Sequence, residues 1–118
     1  MTGVLETVLY VSDLDRAERF YAQVLGLRLV GKEPGRSLFF RAGSSVFLLF
    51  NPAITGGQDD SFPHHGATGS GHSCFVVPED QYDRWRMHLV SRGVTILKDI
   101  QWERGKSFYF RLLPRPGR

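Results

Sequence analysis

Apolar and polar positions alternate in short blocks from the start of the chain. Residues 5–11 are β-branched, aromatic or aliphatic apart from Glu6, which predicts a strand with Glu6, Val8 and Tyr10 on one face and Leu5, Thr7, Leu9 and Val11 on the other. Ser12 or Asp13 can cap a helix in which Leu14, Ala17, Phe20, Tyr21, Val24 and Leu25 recur at helical spacing, with Asp15, Arg16, Glu18, Arg19 and Gln23 between them. Gly26 marks its end, and residues 27–30 resume an extended pattern. Residues 31–35 read as a turn, 37–41 as a strand and 42–45 as a second turn. Residues 46–50 are so uniformly apolar that burial on both faces is expected.

Periodicity then lapses. Residues 51–70, NPAITGGQDDSFPHHGATGS, are rich in Gly, Pro, Ser and Asp and are long for a connection inside a compact domain, so a loop folding over a cleft is expected. After Gly71 the first plan recurs. Residues 72–77 predict a strand with His72, Cys74 and Val76 on one face; residues 79–92 predict a helix with Tyr82, Trp85, Leu89 and Val90 inward and Gly93 at its stop. Strands follow at 94–97 and 107–111, separated by a polar segment that holds Trp102 and Gly105. An offset of 66 residues lays ETVLYV on HSCFVV and one helix on the other, which makes Glu6 and His72 equivalent. The shared order of elements, more than letter identity, implies two copies of one structural unit.

Composition narrows the class. A chain of 118 residues suits one domain, and 42% hydrophobic with 23% charged residues is the balance of a folded globular protein. No apolar run approaches the roughly 20 residues of a membrane helix, and the N-terminus lacks the basic start of a secretory signal, so a cytoplasmic protein without a membrane partner is expected. The net charge is +3, but Arg115 and Arg118 supply two of those charges from the last seven residues; the other basic residues alternate with acids, which argues against nucleic acid. Cys74 is the sole cysteine, so no intrachain disulfide forms, and its place in an apolar strand predicts a small core residue.

The stretch VSDLDRAERFYAQVLG, from Val11, fits V-x-D-L-x-R-A-x-x-F-Y-x-x-V-L-G and resembles the opening of the glyoxalase/bleomycin resistance/dioxygenase superfamily, also called vicinal oxygen chelate proteins. GHSCFVV from Gly71 resembles the start of that family's second module, and with SFYFR the resemblance spans residues 4–111. It implies an α+β fold in which two βαβββ modules form a curved mixed sheet around a cleft. The modules would cover about 4–51 and 71–111 of a single domain, with a connecting loop at 52–70 and an atypical tail at 112–118. Where the family continues with D-P-x-G-N and a strand bearing a final Glu, this chain reads LLPRPGR. Its prolines disfavour a central strand, so the last strand of the second module is expected to be missing through truncation, a shifted frame or natural variation.

The resemblance implies a divalent metal ion, Zn, Ni, Mn, Fe or Mg, held by Glu6 and His72, with Glu6 also moving a proton during a lyase or isomerase reaction on a small oxygen-chelating metabolite. Residues 47 and 48 are apolar where some members carry a Glu. His65, Tyr10, Phe50 and Phe108 are candidates for contact with substrate, alongside core packing for the aromatic residues, which include Phe40 and Phe110. His64 is the weaker neighbour of His65, and His88 falls off the inner stripe of its helix and is expected at the surface. A homodimer is expected to cover the edge left by the missing strand. Three alternatives remain open: a metal-free antibiotic-binding protein of the bleomycin-resistance type; an extradiol-dioxygenase-like member, against which stand Glu6 in place of a His and the absent final Glu; and a chain left inactive by its altered end.

Overall fold

The computed structural model describes residues 1–55, 66 and 71–111. Its contacts divide the chain into two compact units, Met1–Cys74 and Phe75–Arg118. The second unit therefore starts four residues beyond the Gly71 start that the sequence repeat suggests.

The first unit is a mixed four-stranded sheet in the order β1-β4-β3-β2, comprising β1 (Glu6–Tyr10), β2 (Arg28–Glu33), β3 (Ser37–Ala42) and β4 (Ser45–Phe50). β1 runs parallel to β4, whereas the β3–β4 and β2–β3 pairs are antiparallel. Between β1 and β2 lies helix α1 (Leu14–Glu18), capped by the Asp13 carboxylate, which accepts a hydrogen bond from the Arg16 backbone N–H at 3.1 Å. The helix widens into a π-helical turn over Arg19–Val24 and closes with Leu25 N–H donating to Phe20 C=O at 3.0 Å and Leu27 N–H to Tyr21 C=O at 2.9 Å. Gly26, at φ +72°, supplies the left-handed residue that lets the chain leave.

One face of this sheet takes the helix. Ala17, Phe20 and Tyr21 are buried against Leu38, Phe40, Phe47 and Leu49, and the Tyr21 ring lies 5.8 Å from Phe40 and 5.0 Å from Phe47. Burial pushes the pKa of the Tyr21 hydroxyl well up, so it stays neutral at any physiological pH. Phe47, Leu48 and Leu49 are all buried, which matches the two-sided burial expected of this strand. β2 continues to Glu33 instead of turning at Gly31, because a bulge between Leu29 and Gly31 restores the pairing, and the turn follows at Pro34–Arg36. A short helix, α2 (Pro52–Thr55), opens the connection expected to be loop; the Asn51 side chain caps it by accepting from Ala53 N–H at 3.1 Å.

The second unit holds a 3₁₀ turn (Glu79–Gln81), helix α3 (Tyr82–Ser91) and a hairpin of β5 (Ile96–Trp102) and β6 (Gly105–Phe110). Trp102 and Gly105 are the last and first residues of these two strands; the polar segment predicted between them shrinks to the turn at Glu103–Arg104. Leu89 is the buried residue of α3, while Val90 is half exposed and His88, expected at the surface, is half-buried with its ring 5.6 Å from Trp85.

No strand forms at residues 72–77, although exposure alternates there, with His72, Cys74 and Val76 outward and Ser73, Phe75 and Val77 half-buried. The topology of the first unit supplies the reason. β1 is paired to β4 alone, so its counterpart in the repeat needs a fourth strand, and no strand follows β6 among the described residues. Cys74 is correspondingly exposed and not the core residue its apolar neighbours suggested. No helix among the described residues is long and apolar enough to cross a membrane.

Candidate functional site: the open face of the first sheet

Directly paired residues of neighbouring strands share a face, so the register defines the side of the first sheet turned away from α1. It consists of three rows that each cross all four strands. One row is Glu6, Val46, Arg41 and Arg28; the next is Val8, Leu48, Phe39 and Gly31; the third is Tyr10, Phe50, Ser37 and Glu33. A charged row is thus followed by an apolar row and then by an aromatic and polar one.

Several contacts fix these positions. β1 is held to β4 beyond both ends of the ladder: Val46 N–H donates to Leu5 C=O at 2.8 Å, the Ser45 hydroxyl to Val4 C=O at 3.1 Å, and Val11 N–H to Phe50 C=O at 2.9 Å. This sets Glu6 at the start of the ladder with its side chain exposed on the open face. The Phe50 ring stands 6.5 Å from Tyr10 and 5.9 Å from Phe39. Gly31 lies beneath Phe39, where an added Cβ would come 3.3 Å from the ring's Cδ2, close enough to push the ring by a few tenths of an ångström.

Glu6, Tyr10 and Phe50, three residues singled out from the sequence, therefore share one face. His72 lies in the same unit, and its neighbour Gly71 sits against Leu9 of β1, where an added Cβ would come 3.3 Å from Leu9 Cδ2. His72 is exposed, and no hydrogen bond or ion pair links it to Glu6 among the described residues. His64, His65 and most of the 51–70 loop lie outside the described residues.

Phe108 has a different setting. Strand parity puts it beside Asp99 on the side of the hairpin that faces α3, and its ring meets Tyr82 edge-on at 5.3 Å. It packs the helix onto the hairpin. The opposite side of the hairpin carries Ile100, Trp102, Ser107 and Tyr109, with the Trp102 indole N–H donating to the Ser107 hydroxyl at 2.8 Å. Sequence reading passed over Arg28 and Arg41 as well, although the alternation of Arg41 with buried Phe40 was available to place it.

A groove of about 500 Å³ in the second unit is lined by Tyr82, Asp83, Arg86, Asp99, Ile100, Gln101 and Lys106, none of which belongs to the three rows. Its charges satisfy one another. Arg86 binds Asp99 through two hydrogen bonds of 2.8 Å, and Lys106 lies 3.9 Å from Asp83 and 4.8 Å from the centre of the Tyr82 ring. Hydrogen bonding from Arg86 holds the Asp99 carboxyl below its ordinary range, against the opposing effect of desolvation. The folded-state value thus lies below the unfolded one, so the stabilisation is complete above the ordinary carboxylate range and is lost as pH falls through the lowered value. Asp99→Asn should flatten that acid-side loss in a series of thermal melts across pH, with the wild-type and variant melting curves converging at the acid end.

Residues 3–113 match the family model of the Glyoxalase/Bleomycin resistance protein/Dioxygenase superfamily, and the chain belongs to that superfamily. Among solved structures it is similar to lactoylglutathione lyase from Agrobacterium tumefaciens, with 36% identity and a TM-score of 0.87 over 94% of this chain and 86% of that one. An integron cassette protein from V. cholerae is 26% identical, with a TM-score of 0.69 over 94% of this chain and 87% of the other. The fold is shared also by a mutant of the fosfomycin resistance protein FosX from Listeria monocytogenes, complexed with Mn(II) and 1S,2S-dihydroxypropylphosphonic acid. That chain is 16% identical, with a TM-score of 0.66 over 93% of this chain and 81% of the other. The α+β fold with its mixed sheet is the one these solved structures share.

The donor chemistry of Glu6 and His72 fits a divalent metal ion. A carboxylate and an imidazole, both exposed and neither engaged in a hydrogen bond or ion pair among the described residues, are donor types that Mn, Fe, Ni or Zn accepts. No group of three or more His, Cys, Asp or Glu side chains gathers among the described residues, so these two would supply only part of a coordination shell.

Proposed function

We propose that the protein is a metal-dependent lyase or isomerase of glyoxalase type acting on a small metabolite with two oxygens placed for chelation. The observation that carries this reading is the exposed carboxylate of Glu6 on the open face of a sheet whose fold matches a lactoylglutathione lyase at 36% identity. Glu6 and His72 would hold the ion. When bound, the ion draws charge from the substrate oxygens and so acidifies the adjoining C–H. The Glu6 carboxylate accepts that proton and returns it to the neighbouring carbon, which conserves protons as an isomerisation requires. Tyr10 and Phe50 receive the apolar part of the substrate.

Metal analysis of protein purified without a tag tests the reading. Stoichiometric metal in the wild type, lost in Glu6→Ala and in His72→Ala, is expected. Metal-free wild type that binds a drug-like ligand would instead support sequestration, a second reading favoured by the apolar row Val8, Leu48 and Phe39 and by the two-donor set.

The protein is further proposed to be a homodimer. β6 pairs only with β5 among the described residues, and Lys106 is the one charged residue within it, so its free edge has little to deter pairing with another strand. Light scattering should give twice the 13.4 kDa chain mass; a single chain mass at every concentration would overturn the dimer.

A further inference from the structure

Arg28 and Arg41 are direct partners in the β2–β3 ladder and stand on the open face, in the same row as Glu6. Like charges placed opposite each other across a ladder repel, and a strand pair normally avoids them or inserts an acid. Here both arginines are exposed, and neither makes a hydrogen bond or ion pair among the described residues. Acids are available to the same unit and are spent elsewhere: Glu18 binds Lys32 at 2.7 Å, and Glu33 binds Arg36 at 3.5 Å. The repulsion is left standing on the one face of the sheet that the helix does not cover.

We propose that Arg28 and Arg41 form an anion subsite that receives an acidic group of the ligand. The shared chemistry is that of an oxyanion, carboxylate or phosph(on)ate, taken by two guanidinium forks. The register fixes its place relative to Glu6. β3 and β1 are separated by β4 alone, so at the usual strand spacing Arg41 Cα stands roughly 10 Å from Glu6 Cα, with Val46 between them. The ligand is therefore an acid-bearing metabolite whose charged end lies within roughly 10 Å of the atoms that reach Glu6. Only this last spacing rests on the role proposed for Glu6; the anion subsite stands on the arginine pair itself.

The test uses the full chain with inorganic phosphate and malonate as probes, by calorimetric titration at low salt and by thermal shift. Both Arg41→Gln and Arg28→Gln are expected to weaken binding of at least one probe by about tenfold or more, since each removes a charge-assisted partner. Whichever probe binds the wild type more tightly assigns the acid as phosph(on)ate or carboxylate. Arg84→Gln, which removes an exposed charge from α3, controls for net charge and should leave binding within about twofold. In the absence of probe Arg41→Gln should melt no lower than wild type, because it relieves a repulsion, and its melting temperature should no longer rise with added probe. Equal weakening in Arg41→Gln and Arg84→Gln, or no binding of either probe to the wild type, would overturn the subsite. Metal content, measured on the same Arg41→Gln sample, should be unchanged from wild type; a result that removes metal from the wild type itself defeats the Glu6 reading and leaves the titration interpretable.

Discussion

Glu6→Gln should lower turnover by roughly 100- to 10,000-fold, the usual contribution of a positioned general base, while leaving the fold intact. The side chain is exposed on the edge strand of the sheet, and its amide isostere disturbs neither the β1–β4 ladder nor the buried face. Stability should therefore stay within about 0.5 kcal/mol of wild type in urea titration. Rate and stability separate the three meanings of a carboxylate in this strand. A surface charge leaves both untouched, a structural group costs stability, and a proton acceptor costs rate alone. Hydrogen–deuterium exchange at the carbon next to a chelating carbonyl, followed across a panel of small 2-oxo and 2-hydroxy compounds, gives the readout. Full exchange activity in the glutamine variant would remove Glu6 from the chemistry, whatever the metal content.

How far the sequence could be read depended on which interactions decide each element. Helix α1 was legible because its cap at Asp13, its apolar spacing and the Gly26 stop are local, and local chemistry decided them. The π-helical widening was not, since it follows from how Phe20 and Tyr21 seat on the sheet. The extension of β2 past Gly31 depends on a bulge that only cross-strand pairing reveals. At residues 72–77 the alternation is real, as the exposures show, but a strand is a property of two segments, and the partner that β1 finds in β4 has no counterpart among the described residues. The candidate site divides in the same way. Parity alone put Glu6 and Tyr10 on one face, and parity with the buried Phe40 could have added Arg41; Arg28 joined them only through the register. The setting of Phe108 was out of reach for a related reason: nothing in its own strand tells which side α3 will take, and the Tyr82 contact decides it.

Phe40→Ala is expected to be the most damaging single change to stability, by about 3–5 kcal/mol. The Phe40 side chain is fully buried, it is paired across the ladders with Leu29 and Phe47, and its ring is 5.8 Å from Tyr21, so truncation leaves a cavity between α1 and the sheet that surrounding strands cannot close. Against a total stability of roughly 5–15 kcal/mol for a domain, that loss removes a large part of the margin. The neighbouring residue makes the comparison informative. Phe39 points to the open face with 37% of its surface exposed and meets Phe50 edge-on at 5.9 Å, so Phe39→Ala should cost about 1 kcal/mol. Urea denaturation of the two variants, with unchanged slope and a shifted midpoint, measures both. The ratio matters more than either value, because adjacent strand residues lie on opposite faces: a larger cost at Phe39 would invert the faces, moving Glu6, Tyr10, Arg28 and Arg41 together from the open side to the helix side. Greater loss at Phe40 fixes all four by parity and register, without any measurement at the site itself.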